Sequence, residues 1–121
     1  MTTAREIQDE LKPAGRRLRA AIPDVYAGYA ALQTAAMGDG ALPATVKELI
    51  ALAISVIREC DGCVAAHVRS AVRQGVTAEE VAEAMGVVIA MNGGPGTVWG
   101  PRAYAAFEEF AGPGGVSPRG S

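Results

Sequence analysis

Apolar residues recur along this chain at three- and four-residue intervals, and no stretch alternates apolar and polar β-branched residues as a half-buried strand would. The pattern predicts an all-α fold of about six helices. Thr3 and Glu6 form a capping box for the first, which Pro13 and Gly15 are expected to kink or end before the basic stretch Arg16, Arg17 and Arg19. Pro23 opens the second, which runs through Tyr26, Tyr29 and Leu32 to about Met37, and Gly38, Asp39 and Gly40 form a linker. The third runs from Pro43 to about Glu59; the fourth opens at Asp61 or Cys63 and stops at Gly75. A second capping box, Thr77 with Glu80, starts a fifth helix that stops at Asn92, Gly93 and Gly94, and a sixth covers about Thr97 to Phe110. These elements make one helical domain over residues 1–111. Residues 112–121 carry almost nothing to bury and are expected to form a flexible tail.

The third helix is apolar over an unusually wide arc. With Val46 at 0° and about 100° per residue, Leu49, Ile50, Leu52, Ala53, Ile54, Val56 and Ile57 fill about 200° of the wheel. Lys47, Glu48, Ser55, Arg58 and Glu59 share the remainder. An ordinary surface helix needs a stripe of only about 100°, so the excess is expected to be buried against another copy of the chain.

Composition narrows the partners. Half of the 121 residues are hydrophobic, including 24 alanines and six aromatics, enough for a core. The formal net charge is −2 with no long run of like charges, which disfavours nucleic acid and anionic membranes. The longest apolar run, Leu49 to Ile54, falls far short of the roughly 20 residues of a membrane span. The N-terminal segment lacks the pattern of a secretory signal, and two cysteines are too few for a secreted disulfide framework, so the expected compartment is the cytoplasm.

Those two cysteines carry the candidate chemistry. Cys60, Cys63 and His67 stand at i, i+3 and i+7, which on a helix places them within a sector of about 60°. If the helix opens near Asp61, both thiols lie in its first turn, where free N–H groups and the helix dipole favour thiolate over thiol. His67, one turn beyond Cys63, is placed to take its proton directly or through water. Two other readings of these residues remain: a pair of small buried hydrophobes, or a zinc site made of Cys60, Cys63, His67 and Glu48. Structural zinc sites usually bring a second Cys or His pair, which this chain lacks. From spacing alone, Glu48 belongs to the polar strip of the third helix and is expected to face solvent.

The segment VKELIALAISVIRECDGCVAAHVRSAVRQGVTAEEVAEAMGVVIAMNGGPG resembles the core of the carboxymuconolactone decarboxylase / AhpD-like superfamily, in its cysteine-bearing, alkylhydroperoxidase-D-like branch. The signature is Glu, eleven residues, Cys, two residues, Cys, three residues, His, here Glu48, Cys60, Cys63 and His67. The resemblance covers about residues 42–110. It implies a thiol-dependent oxidoreductase that reduces a small-molecule peroxide or disulfide: Cys63 is the attacking thiolate, Cys60 the resolving thiol, His67 the base and Glu48 its orienting partner. An external dithiol would regenerate the pair, with no cofactor and no metal. It also implies a homo-oligomer, a hexamer built as a trimer of dimers or else a trimer. Alkylhydroperoxidase D proper has a further histidine immediately before the second cysteine, where this chain has Gly62. The alternatives are a carboxymuconolactone decarboxylase-like lyase, which needs acid–base groups alone, and a non-catalytic helical oligomeric module. The turn NGGPG at 92–96 lacks the Lys-Ser/Thr of a phosphate loop and reads as a helix stop that permits close approach. Trp99, Tyr104 and Phe107 read as packing residues.

Overall fold

A computed structural model describes residues 2–113. Among them the chain forms six helices: α1 (Ala4–Ala21), α2 (Pro23–Met37), α3 (Ala44–Ile57), α4 (Asp61–Arg73), α5 (Ala78–Asn92) and α6 (Gly94–Ala111). From residue 114 onward, the expected tail lies outside the described residues. Local chemistry sets most of the boundaries. Thr3 accepts the Glu6 N–H at 3.1 Å to open α1, and the reciprocal Thr77–Glu80 box opens α5 with bonds of 2.8 and 3.1 Å. α4 closes in a Schellman turn. Gly75 takes φ +84° while the N–H groups of Gly75 and Val76 return to the carbonyls of Val72 and Ala71. α3 begins after Pro43, with the Asp39 carboxylate capping the Ala44 N–H at 2.7 Å.

Three boundaries differ from the sequence expectation. α1 runs through Pro13 and Gly15 to Ala21, so the arginines lie on the helix rather than beyond it. Proline removes one backbone donor there, but the position is exposed and water can satisfy the carbonyl left over. α3 ends at Ile57, two residues early, because Glu59 takes φ +55° to turn the chain into α4. α6 starts at Gly94, since Pro95 is already suited to the first turn.

The core lies among α3, α4, α5 and α6, with α1 laid across α4. Phe107, Leu52, Val56, Val68, Val81 and Val88 are its largest fully buried side chains, each contributing about 1.5–3 kcal/mol of transfer free energy. Trp99 and Tyr104 pack against its edge, as expected of packing residues. α6 reaches α5 closely because Gly96 has no side chain: a Cβ there would stand 3.0 Å from the Ile89 Cα. α2 contributes no buried residue.

The wheel for α3 is corrected in its orientation. Leu52 and Val56 are buried, but the buried arc continues through the polar side, to Ser55 and Glu48. Val46, Ile50, Ile54 and Ile57 are left 37–53% exposed on the other flank. Ser55 enters the interior because its hydroxyl donates to the Ala51 carbonyl at 2.8 Å.

Candidate active site

α4 begins where the sequence places its chemistry. Cys60 is the N-cap residue, and its Sγ accepts the Cys63 N–H at 3.3 Å. Cys60 and Cys63 are joined as a disulfide with Cα atoms 5.2 Å apart, within the span that such a bridge requires. Cys63 is an exposed residue and Cys60 a half-buried one. A sulfur at an N-cap faces unpaired N–H groups and the positive end of the helix dipole; on reduction, that position stabilises Cys60 as a thiolate. Among the described residues no three His, Cys, Asp or Glu side chains are grouped as a metal site would need.

The second half of the site is built around Glu48. Far from facing solvent, its carboxylate is only 4% exposed, at the interface of α3 and α4. A buried carboxylate is costly unless its lone pairs are matched, and here both oxygens are. Oε2 lies 3.1 Å from His67 Nδ1. Oε1 accepts from the Ser70 hydroxyl at 2.8 Å and from Gln74 Nε2 at 3.3 Å, and the Gln74 amide also donates to Ser70 Oγ at 3.2 Å. The surroundings therefore explain why an acid can occupy the buried flank of α3.

This arrangement selects a histidine tautomer. An ionised carboxylate has only acceptors, so the hydrogen between the two groups sits on Nδ1, and neutral His67 keeps its lone pair on Nε2. Glu48 thus leaves His67 one ring nitrogen free to receive a proton. His67 is itself one turn from Cys63 on the same face of α4. All four residues singled out from the sequence therefore lie along one helix and its partner: Cys60 with Cys63, and Glu48 with His67.

Ser70 and Gln74 were missed. The signal that could have found them is the one that aligned the thiols: from Cys63, the steps to His67, Ser70 and Gln74 are i+4, i+7 and i+11, all within about 60° on a helical wheel.

Comparison with known proteins places the chain. Residues 23–109, which span α2 to most of α6, match the carboxymuconolactone decarboxylase family. The chain belongs to the carboxymuconolactone decarboxylase family. An uncharacterized protein of Cupriavidus necator is 42% identical over 86 residues, covering 71% of this chain and 76% of that protein. An uncharacterized protein of the cox locus of Paracoccus denitrificans is 34% identical over 96 residues, covering 79% and 84%. The crystal structure of an apo carboxymuconolactone decarboxylase family protein from Legionella pneumophila superposes with a TM-score of 0.85 at 36% identity, covering 88% of this chain and 96% of that one. The six-helix architecture is thus that of the carboxymuconolactone decarboxylase family, and among the described residues no helix is long and apolar enough to cross a membrane.

Proposed function

We propose that this member of the carboxymuconolactone decarboxylase family is a thiol-dependent oxidoreductase of the alkylhydroperoxidase-D-like kind. The observation that carries the reading is the Cys60–Cys63 disulfide at the head of α4, on the same helix as a histidine fixed by a buried carboxylate. Acid–base decarboxylation would have use for Glu48 and His67 but none for a paired dithiol.

In the oxidative half, His67 Nε2 takes the Cys63 proton, and the thiolate attacks the substrate. With a peroxide, the O–O bond breaks, the alcohol leaves after receiving the proton, and Cys63 becomes a sulfenic acid. Cys60 then attacks that sulfur as thiolate, hydroxide leaves as water, and the disulfide closes. With a disulfide substrate, one of its halves leaves as thiol and a mixed disulfide takes the place of the sulfenic acid. An external dithiol returns two electrons and two protons. The cytoplasm, where dithiol reductants are maintained, suits this cycle.

We further read the functional unit as a homo-oligomer, a hexamer arranged as a trimer of dimers. Two features support self-association: α2 has no fully buried residue, and α3 leaves Val46, Ile50, Ile54 and Ile57 open to a partner. The reading is tested by presenting the reduced protein with a panel of peroxides and disulfides and weighing the product. One class should yield an intramolecular disulfide and turn over with a dithiol. Consumption of a muconolactone with indifference to every oxidant would replace this reading with the lyase.

A further inference from the structure

α1 carries a concentration of positive charge that the cycle above does not use. Lys12, Arg16 and Arg19 recur at i, i+4 and i+7 on one exposed face of the helix, and with Arg69 of α4 they line a groove of about 410 Å³. The volume lies within the range of about 300–1,000 Å³ typical of small-molecule sites. The lining holds four of the chain's eleven basic side chains and no acid, in a protein whose net charge is −2. One of the four, Lys12, is paired with Asp9 at 3.0 Å.

Arg69 is fixed, donating to Gln8 at 2.8 Å and lying over the Phe110 ring at 5.5 Å, while a guanidinium has five N–H donors in all. Gly15 lies between the cations of α1 at a point of open space, where even a Cβ would meet nothing within 4 Å. The groove also adjoins the redox pair: Leu11, on its wall, stands 3.3 Å from where a Cβ of Gly62 would be, and Gly62 lies between the two cysteines. A bulkier residue at 62 would have to displace Leu11.

We propose that this groove binds the anionic groups of a small thiol bearing carboxylate or phosphate, the reductant that reopens the Cys60–Cys63 disulfide. The inference rests on the oxidoreductase reading and refines its reductant, two molecules of a charged monothiol taking the place of one dithiol. The thiolate of the bound molecule attacks the sulfur of Cys63, the Cys60–Cys63 bond breaks, and Cys60 leaves as the thiolate that its N-cap position stabilises. A second molecule of the thiol attacks the mixed disulfide, releasing the oxidised reductant as a disulfide and Cys63 as thiolate. Two thiols are oxidised by two electrons in total, and the protein disulfide is reduced by two.

The test compares the rates at which the oxidised protein is reduced by mercaptosuccinate, 2-mercaptoethanol and cysteamine. Each is divided by the same thiol's rate with hydroxyethyl disulfide to remove differences in intrinsic reactivity. The dianionic thiol should exceed the neutral one by about tenfold at low ionic strength, falling to about twofold at 0.5 M salt, with cysteamine the slowest. In the double variant Arg16→Glu with Arg19→Glu the anionic-to-neutral ratio should fall to one or below, and a ratio divides out any loss common to all thiols. A wild-type ratio near one, with the neutral thiol reducing the disulfide readily, overturns the groove alone, as would be found if a second copy of the chain covered it. A ratio that survives charge reversal also overturns it. Failure of every thiol to reduce the pair overturns the oxidoreductase reading and this proposal with it.

Discussion

Replacing Glu48 by Gln changes two atoms' chemistry and almost no volume, which makes it the sharpest probe of the buried cluster. The Gln side chain has one acceptor end and one donor end. Two donors, Ser70 Oγ and Gln74 Nε2, point at Oε1 and only His67 Nδ1 at Oε2, so the amide oxygen goes to the pair and the NH₂ faces the imidazole. Nδ1 must then accept, the imidazole hydrogen moves to Nε2, and the lone pair that would take the Cys63 proton is lost. Loss of a general base costs about 10²–10⁴ in rate, but a thiol limits the damage because it ionises unaided. At pH 7 a thiol with an ordinary pKa of about 8.5 is about 3% thiolate, so the loss in oxidation rate is capped near 30-fold. It should shrink with rising pH and vanish above about pH 9, where hydroxide does the work of the relay. Stability should move by only about 1 kcal/mol, because weaker hydrogen bonds are offset by removing a buried charge. The assay is the rate of oxidation of the reduced protein, quenched and weighed, from pH 6 to 10, with a thermal melt as the fold control. A Glu48→Gln protein that is oxidised at the wild-type rate at pH 7 would refute the tautomer argument.

Ser70→Ala removes the shorter of the two bonds to Oε1 and leaves Gln74 in place; it should cost about 1.5–3 kcal/mol in denaturant unfolding and slow oxidation less than Glu48→Gln does. Gly96→Val would drive a branched side chain against the Ile89 backbone and should destabilise by about 1–3 kcal/mol or more, whereas Gly86→Ala on the open side of α5 should stabilise by about 0.5–1 kcal/mol; equal effects on the two melting curves would contradict the packing described for α5 and α6. Ile54→Glu places a charge in the exposed stripe of α3 and should lower the molar mass seen by light scattering without loss of helicity; an unchanged oligomer would mean that this stripe is not an interface.

Much of the architecture was legible because it is local. Thr3, Thr77, Gly75 and Gly93 act on their own neighbours, so caps and stops could be read from the order of residues alone. Pro13 misled because a proline's effect depends on whether its surroundings can satisfy the freed carbonyl, which is a question of exposure. Cys60, Cys63 and His67 were legible because one helix aligns them. Glu48 was legible only through the family signature and not from spacing, because its burial depends on donors from another helix: without Ser70, Gln74 and His67 opposite, the same residue on α3 belongs to solvent. Helical periodicity showed how wide the apolar arc of α3 is, but not which part faces the core, since a polar group with partners can be buried in place of an isoleucine.

The central claim is that Cys63 and Cys60 react in that order, and the most direct measurement is the mass of three reduced proteins after an oxidant that turns over with the wild type: the wild type, Cys63→Ser and Cys60→Ser. The wild type should lose two hydrogen masses within one chain; Cys63→Ser should be inert; Cys60→Ser should react once and stop as a sulfenic acid or mixed disulfide. An inert Cys60→Ser with a trapped Cys63→Ser would exchange the two roles, and full turnover by both variants would contradict thiol catalysis and leave Glu48 and His67 to acid–base chemistry.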